Sequence, residues 1–166
     1  AGAGDGVLFY DPENTGEITE MRQFVFTEWD PTASSDVEAF KSVFDSNGDG
    51  VFDAQDDAWA DFKIMVSNAD GSTSAVTLAS LGIVSIDLDV DATNIVLPDG
   101  SVITGQSRFT YTDGSTGLVG DVTLGFDAQG HDVEQLVSTD AYANRITEQK
   151  GYNQDGSLAF AIATVT

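Results

Sequence analysis

The sequence predicts an α+β fold: paired EF-hand-like helix-loop-helix units in residues 1–83, followed by an antiparallel β-meander in residues 84–166. Three observations predict it. Ser35 opens an amphipathic helix, a twelve-residue acidic loop runs from Asp45 to Asp56, and beyond residue 83 short β-rich runs alternate with Asp-Gly turns. The 166 residues suit one domain, so the β-rich region is expected to pack on the first.

The helical elements come first. Ser35-Asp36-Val37-Glu38 reads as a capping box, with the Ser35 hydroxyl on the Glu38 amide and the Glu38 carboxylate reaching back to the N-cap amide. Val37, Phe40, Val43 and Phe44 then recur at helical spacing and give this helix one apolar face. Past the acidic loop, Trp59 and Phe62 sit three apart in a second short helix over residues 57–63. Asp56 and Asp57 in its first turn favour the helix dipole. A third helical piece is expected over residues 76–81, ended by Gly82.

The strands follow. Val84 to Val90 alternates with period two, and residues 94–97 face 101–104 across Pro98-Asp99-Gly100. Residues 108–112 and 117–124 flank Asp113-Gly114-Ser115. Residues 159–165 follow Gln154-Asp155-Gly156, after a strand near residues 146–152. Together these give about six or seven antiparallel strands, and the repeated Asp-Gly pairs read as turns that need positive φ. Ser67 to Ser72 also reads as a turn.

The loop from Asp45 to Asp56 carries the chemistry. An EF-hand loop needs oxygen ligands at positions 1, 3, 5, 9 and 12, a backbone carbonyl at 7 and glycine at 6, because calcium takes six to eight oxygens around a sharp turn. Asp45, Asn47 and Asp49 supply the first three side chains, Val51 the carbonyl, Asp53 the ninth position and Asp56 the twelfth, with Gly50 at the sixth. Aspartate at the last position is shorter than the usual glutamate. A loop started at Asp11, 34 residues upstream, puts Gly16 at position 6 and Ile18 at position 8, matching Gly50 and Phe52. Asp11, Glu13, Thr15, Glu17 and Thr19 then form a poorer ligand set, since Arg22 stands at position 12. The two loops are expected to form a structural pair, the first a weak second site or a vestigial scaffold.

Charge excludes several classes. With 28 acidic and 6 basic residues the formal net charge is -22, which repels nucleic acid and anionic lipid surfaces and is relieved by bound divalent cations. There is no cysteine, hence no disulfide and no thiolate metal site. No apolar run approaches the ~20 residues of a membrane helix, and no signal-peptide pattern opens the chain. The small-residue start Ala1-Gly2-Ala3-Gly4 reads as the edge of a larger parent polypeptide. His131, the sole histidine, reads as a turn residue, and no Ser, His and Asp constellation stands out.

The run DSNGDGVFDAQDDAWADF from Asp45 to Phe62, followed by Thr77-Leu78-Ala79-Ser80-Leu81-Gly82-Ile83, resembles the EF-hand-like calcium-binding region of large secreted RTX-type proteins. Asp5 to Asp11 and Asp113 to Gly117 extend the resemblance over roughly residues 4 to 126. It is similar to the self-processing modules of FrpC-type RTX proteins. The resemblance implies calcium as cofactor, secretion by a type I route and a calcium-stabilised structural role within a larger protein. Relatives of that type cleave an Asp-Pro bond when calcium binds. Asp11-Pro12 and Asp30-Pro31 do not stand where the family keeps its scissile pair, so self-processing is the alternative and an adhesin-like binding module a further one.

Overall fold

Leu8 and Phe9 are neighbours in β1 (Asp5–Tyr10), both wholly buried, yet they enter different apolar layers. Successive strand residues face opposite sides, so a strand covered on both sides reads as a continuous apolar run. The computed structural model describes residues 5–96, 101–124 and 159–165. Its strands are β1, β2 (Val51–Asp53), β3 (Phe62–Ser67), β4 (Thr73–Thr77), β5 (Ile83–Asp87), β6 (Ile95–Val96), β7 (Val102–Tyr111), β8 (Thr116–Leu124) and β9 (Ala159–Val165). They form one sheet in the order β2-β5-β7-β8-β9-β1-β3-β4, with β6 paired to β7.

On one face lies α1 (Asp36–Phe44). Its Phe40 and Phe44 pack with Phe26, Phe52 and Phe62, ring centroids 4.9 to 5.9 Å apart, over Leu8, Ile64, Ile86, Val119 and Ile162. The other face carries a smaller cluster of Phe9, Phe24, Val25 and Met65. Ser35 caps α1 by accepting from the Glu38 amide at 3.2 Å. The Glu38 carboxylate takes the Ser34 amide at 2.7 Å and the Ser34 hydroxyl in place of the expected Ser35 amide. Asp36, wholly buried, accepts from the amides of Phe26 and Thr27 at 3.0 and 2.8 Å and so ties the 3-10 turn Phe26–Glu28 to the start of the helix.

Two of the expected hairpins form. Ile95 stands opposite Ile103, and the β7–β8 pair runs from Val102↔Thr123 to Thr110↔Thr116. Its turn is closed by Asp113, whose Oδ1 accepts from the Ser115 amide at 2.8 Å, and by Gly114 at φ +83. Asp70 and Gly71 make the same kind of turn between β3 and β4. The expected turn at residues 97–100, strand near 146–152, turn at 154–156 and His131 lie outside the described residues.

Paired helix-loop-helix units do not form, which corrects the α+β expectation: among the described residues α1 is the one α-helix, and the architecture is a nine-stranded, mostly antiparallel sheet. The expected helix over residues 57–63 is only a 3-10 turn, Trp59–Asp61, before β3 begins. The alternation Phe62, Ile64 on one face and Lys63, Met65 on the other outweighs the Trp59/Phe62 spacing, because β1 and β4 offer partners on both edges of β3. Residues 76–81 finish β4 and make a single turn, ended by Gly82 at φ +75 as foreseen for that glycine. Phe52 pairs with Ile86 of β5, whereas Ile18 joins the smaller cluster, so the two loops share no contact of EF-hand type. The strands also depart from an antiparallel meander, since β9 runs parallel to both β8 and β1.

Candidate metal centre

Loop two begins where α1 ends. Asp45 folds back into the turn: its Oδ1 accepts from the amides of Gly48 and Asp49 at 2.8 and 3.2 Å, and its Oδ2 from Gly50 at 2.9 Å. Gly50, at position 6, takes φ +83, a conformation that costs residues with a Cβ about 1–2 kcal/mol. Asp56 closes the loop from its far end, with Oδ1 on the Ser46 amide at 2.8 Å and Oδ2 on the Asp53 amide at 2.9 Å. It is 4% exposed. Asn47, Asp49 and Asp53 line the outside, each turned onto an amide of the loop at 2.7 to 3.0 Å.

The carbonyl of Val51 has a definite direction. Leu88 N–H donates to the Gly50 carbonyl at 2.9 Å, which makes Gly50 and Leu88 a hydrogen-bonded pair. Val51, opposite Asp87, therefore falls at a non-hydrogen-bonded position of the ladder. Because β2 is the edge of the sheet, the Val51 carbonyl points outward, on the loop side. The six expected positions thus stand in one loop wrapped around a strand edge, and their donors are all oxygen, the set that suits calcium or magnesium and not zinc. Among the described residues, no three His, Asp or Glu side chains converge closely enough to hold an ion as they stand. Their carboxylates are engaged with amides, and Asn47 and Asp49 are exposed.

The field around the loop is negative. Asp87 lies opposite Val51, and Asp89 reaches the same corner, where a Cβ on Gly50 would lie 3.6 Å from its Oδ2. Lys41 answers this charge: its ammonium is 2.6 Å from Asp89 Oδ1, a bond that raises its pKa, helped by Asp45 and Asp87. At 39% side-chain exposure that pair adds little to stability.

Loop one repeats the start of loop two and then departs from it. Asp11 Oδ1 accepts from the Thr15 amide at 2.9 Å and Oδ2 from the Gly16 amide at 2.8 Å, the counterparts of Asp49 and Gly50. Here the chain supplies its own cation. Lys63 rises from β3, opposite Phe9, and places its ammonium 2.5 Å from Asp11 Oδ2 and against Asn14 Oδ1. Burial pushes the Asp11 carboxyl up, but Lys63 and the Gly16 and Thr15 amides outweigh it and leave the pKa lowered. Gln23 closes the far end, accepting from the Thr19 and Glu20 amides at 2.6 and 2.9 Å and donating to the Glu17 carbonyl at 3.2 Å. Glu13 is exposed, and the Arg22 guanidinium lies 3.8 Å over the Trp29 ring. Lys63 escaped the sequence reading; its signal was one lysine in the apolar run Phe62-Lys63-Ile64-Met65-Val66, in a chain with only 6 basic residues.

Both Asp-Pro pairs have engaged carboxylates. Asp11 is held as described, and Asp30 accepts from the hydroxyls of Thr32 and Ser42, each at 2.6 Å, which lowers its pKa.

The model of the SPM domain family matches residues 1–125. This chain belongs to the SPM domain family. It is also similar to the iron-regulated protein FrpA of Neisseria meningitidis serogroup C, 31% identical over 128 residues, which cover 75% of this chain and 11% of FrpA. Both loops, α1 and β1 to β8 lie inside the SPM domain; β9 lies beyond it. The chain spans 11% of that relative, as a module of a larger polypeptide does. No helix among the described residues is long and apolar enough to cross a membrane.

Proposed function

We propose that this SPM domain is a calcium-binding structural module of a secreted, RTX-like bacterial protein, stabilised when one calcium ion enters the loop from Asp45 to Asp56. The observation that carries this reading is the loop itself: oxygen donors at Asp45, Asn47, Asp49, Val51, Asp53 and Asp56 in calcium-loop order, around a glycine at φ +83 and an outward carbonyl. The similarity to FrpA supports the resemblance to FrpC-type modules and, with it, export by a type I route. Entry of the ion turns the Asn47, Asp49 and Asp53 side chains off the loop amides that they now accept from, and has Asp45 and Asp56 share carboxylate oxygens that also rest on loop amides. It also relieves part of the self-repulsion of a chain with net charge -22.

Loop one takes no calcium in this reading, because Lys63 already neutralises Asp11. Calcium at a hundredfold excess over Kd adds about 2.7 kcal/mol of stability, which for a chain of this size raises Tm by roughly 5–10 °C. Thermal melts of the full chain with calcium and with chelator test it. A midpoint indifferent to calcium would sink the proposal.

A further inference from the structure

Each loop has a lysine near its first carboxylate, and the two lysines are held differently. In loop one the Gly16 amide and the Lys63 ammonium meet on the same oxygen, Asp11 Oδ2, at 2.8 and 2.5 Å. In loop two the Gly50 amide makes the matching bond to Asp45 Oδ2 at 2.9 Å, but the nearby ammonium, that of Lys41, is bonded to Asp89 Oδ1 at 2.6 Å.

Lys41 is placed to do what Lys63 does. It stands four residues before Asp45 at the end of α1, the spacing that makes side chains neighbours on a helix surface. Its ammonium lies 3.4 Å from the point a Cβ on Gly50 would take, beside the residue whose amide holds Asp45. The charges of Asp45 and Asp87 both act on it.

Asp89 draws it aside. The Leu88 amide on the Gly50 carbonyl at 2.9 Å, with Val51 opposite Asp87, fixes the chain after β5 against the loop. The Asp89 amide, donating to Asp87 Oδ1 at 2.9 Å, holds that corner. Asp89 Oδ2 thereby comes 3.6 Å from the same Cβ point that Lys41 faces. Both side chains of the pair are exposed, so it separates at little cost, and the nearest carboxylate decides where the ammonium rests.

We infer that Asp89 is a positioning residue for loop two: it holds the Lys41 ammonium off Asp45, and without it Lys41 settles on Asp45 as Lys63 settles on Asp11, where it competes with calcium. The inference rests on the reading that calcium enters loop two.

Calcium titrations of the full chain test it, with Asp89→Asn made in wild type and in Lys41→Gln. In wild type the substitution is expected to weaken calcium binding on the order of tenfold or more, through one lost negative charge and one displaced ammonium. In Lys41→Gln it is expected to weaken binding only about threefold, through the charge alone. Equal factors in the two backgrounds overturn the proposal. A crystal structure of Asp89→Asn grown with chelator reads the placement without calcium, and is expected to show Lys41 Nζ within hydrogen-bond distance of an Asp45 carboxylate oxygen. An ammonium away from Asp45 there overturns the proposal whether or not wild type binds calcium. Wild type that binds none, with Lys41 on Asp45 in the variant, contradicts the reading of loop two and leaves the role of Asp89 in placing Lys41 supported.

Discussion

The Lys63 ammonium meets Asp11 Oδ2 at 2.5 Å with the two side chains 8% and 1% exposed, and it stands inside a loop whose counterpart 34 residues later has no lysine of its own. A buried pair is costly to break on one side, because the survivor is left as an uncompensated charge. Lys63→Met is therefore expected to lose about 3–5 kcal/mol in urea unfolding, and Asp11→Asn combined with Lys63→Met to recover much of that loss. Additive effects of the two substitutions would show that the pair does not act as a unit.

The same pair gives a pH dependence. The Asp11 pKa is lowered in the fold, so its contribution is present above the unfolded value near 3.9 and is lost as pH falls through the folded value. Wild type is expected to lose stability below about pH 4 more steeply than Asp11→Asn. Equal slopes would remove the assignment.

Asp121 behaves in the opposite sense. It is 2% exposed on β8, and its Oδ1 takes no hydrogen bond among the described residues. Burial, then the charge of Asp36, holds its carboxyl above the usual range, against hydrogen bonds from Ser35, Thr104 and the Val37 amide. A raised acid pKa favours folding below the unfolded value and becomes a cost as pH rises through the folded value. Asp121→Asn is expected to stabilise the protein by about 1–3 kcal/mol at pH 7, with the gain shrinking toward pH 4. A variant less stable than wild type at pH 7 would contradict this account of the site.

Gly117 lies under the Phe109 ring across the β7–β8 pair, and a Cβ there would stand 2.1 Å from the ring. Gly117→Ala is expected to cost about 1–3 kcal/mol by overpacking, read as a lower urea midpoint. A neutral effect would mean that Phe109 moves freely aside.

Asp11 and Asp30 are both held as hydrogen-bond acceptors, Asp11 by the Lys63 ammonium and the Thr15 and Gly16 amides and Asp30 by the Thr32 and Ser42 hydroxyls, so an attack on the neighbouring peptide bond would have to break those contacts. Incubation with calcium at neutral pH is expected to leave the mass of the chain unchanged. Fragments ending at Asp11 or Asp30 would favour the self-processing alternative.

Local signals were legible where local physics decides. Ser35 and Glu38 announced α1, Asp113-Gly114 announced the β7–β8 turn, and the spacing of Asp45 to Asp56 announced a loop that the structure builds as one unit. Residues 57–63 misled because Trp59 and Phe62 fit a helical spacing over one turn, while the strand that begins at Phe62 is fixed by partners at Tyr10 and Thr77 that no local window contains. The pairing of loops failed for a similar reason: Phe52 pairs with Ile86, a residue 34 positions away, and Ile18 packs in the cluster on the other face. Lys63 and the parallel seat of β9 are long-range facts, set by which strands happen to lie side by side.

Equilibrium dialysis of the full chain against calcium is expected to give one ion per chain, none in the chain carrying Asp45→Asn and Asp49→Asn, and one in Asp11→Asn. Wild type that binds no calcium, or a loop-two variant that binds as much as wild type, would contradict the account.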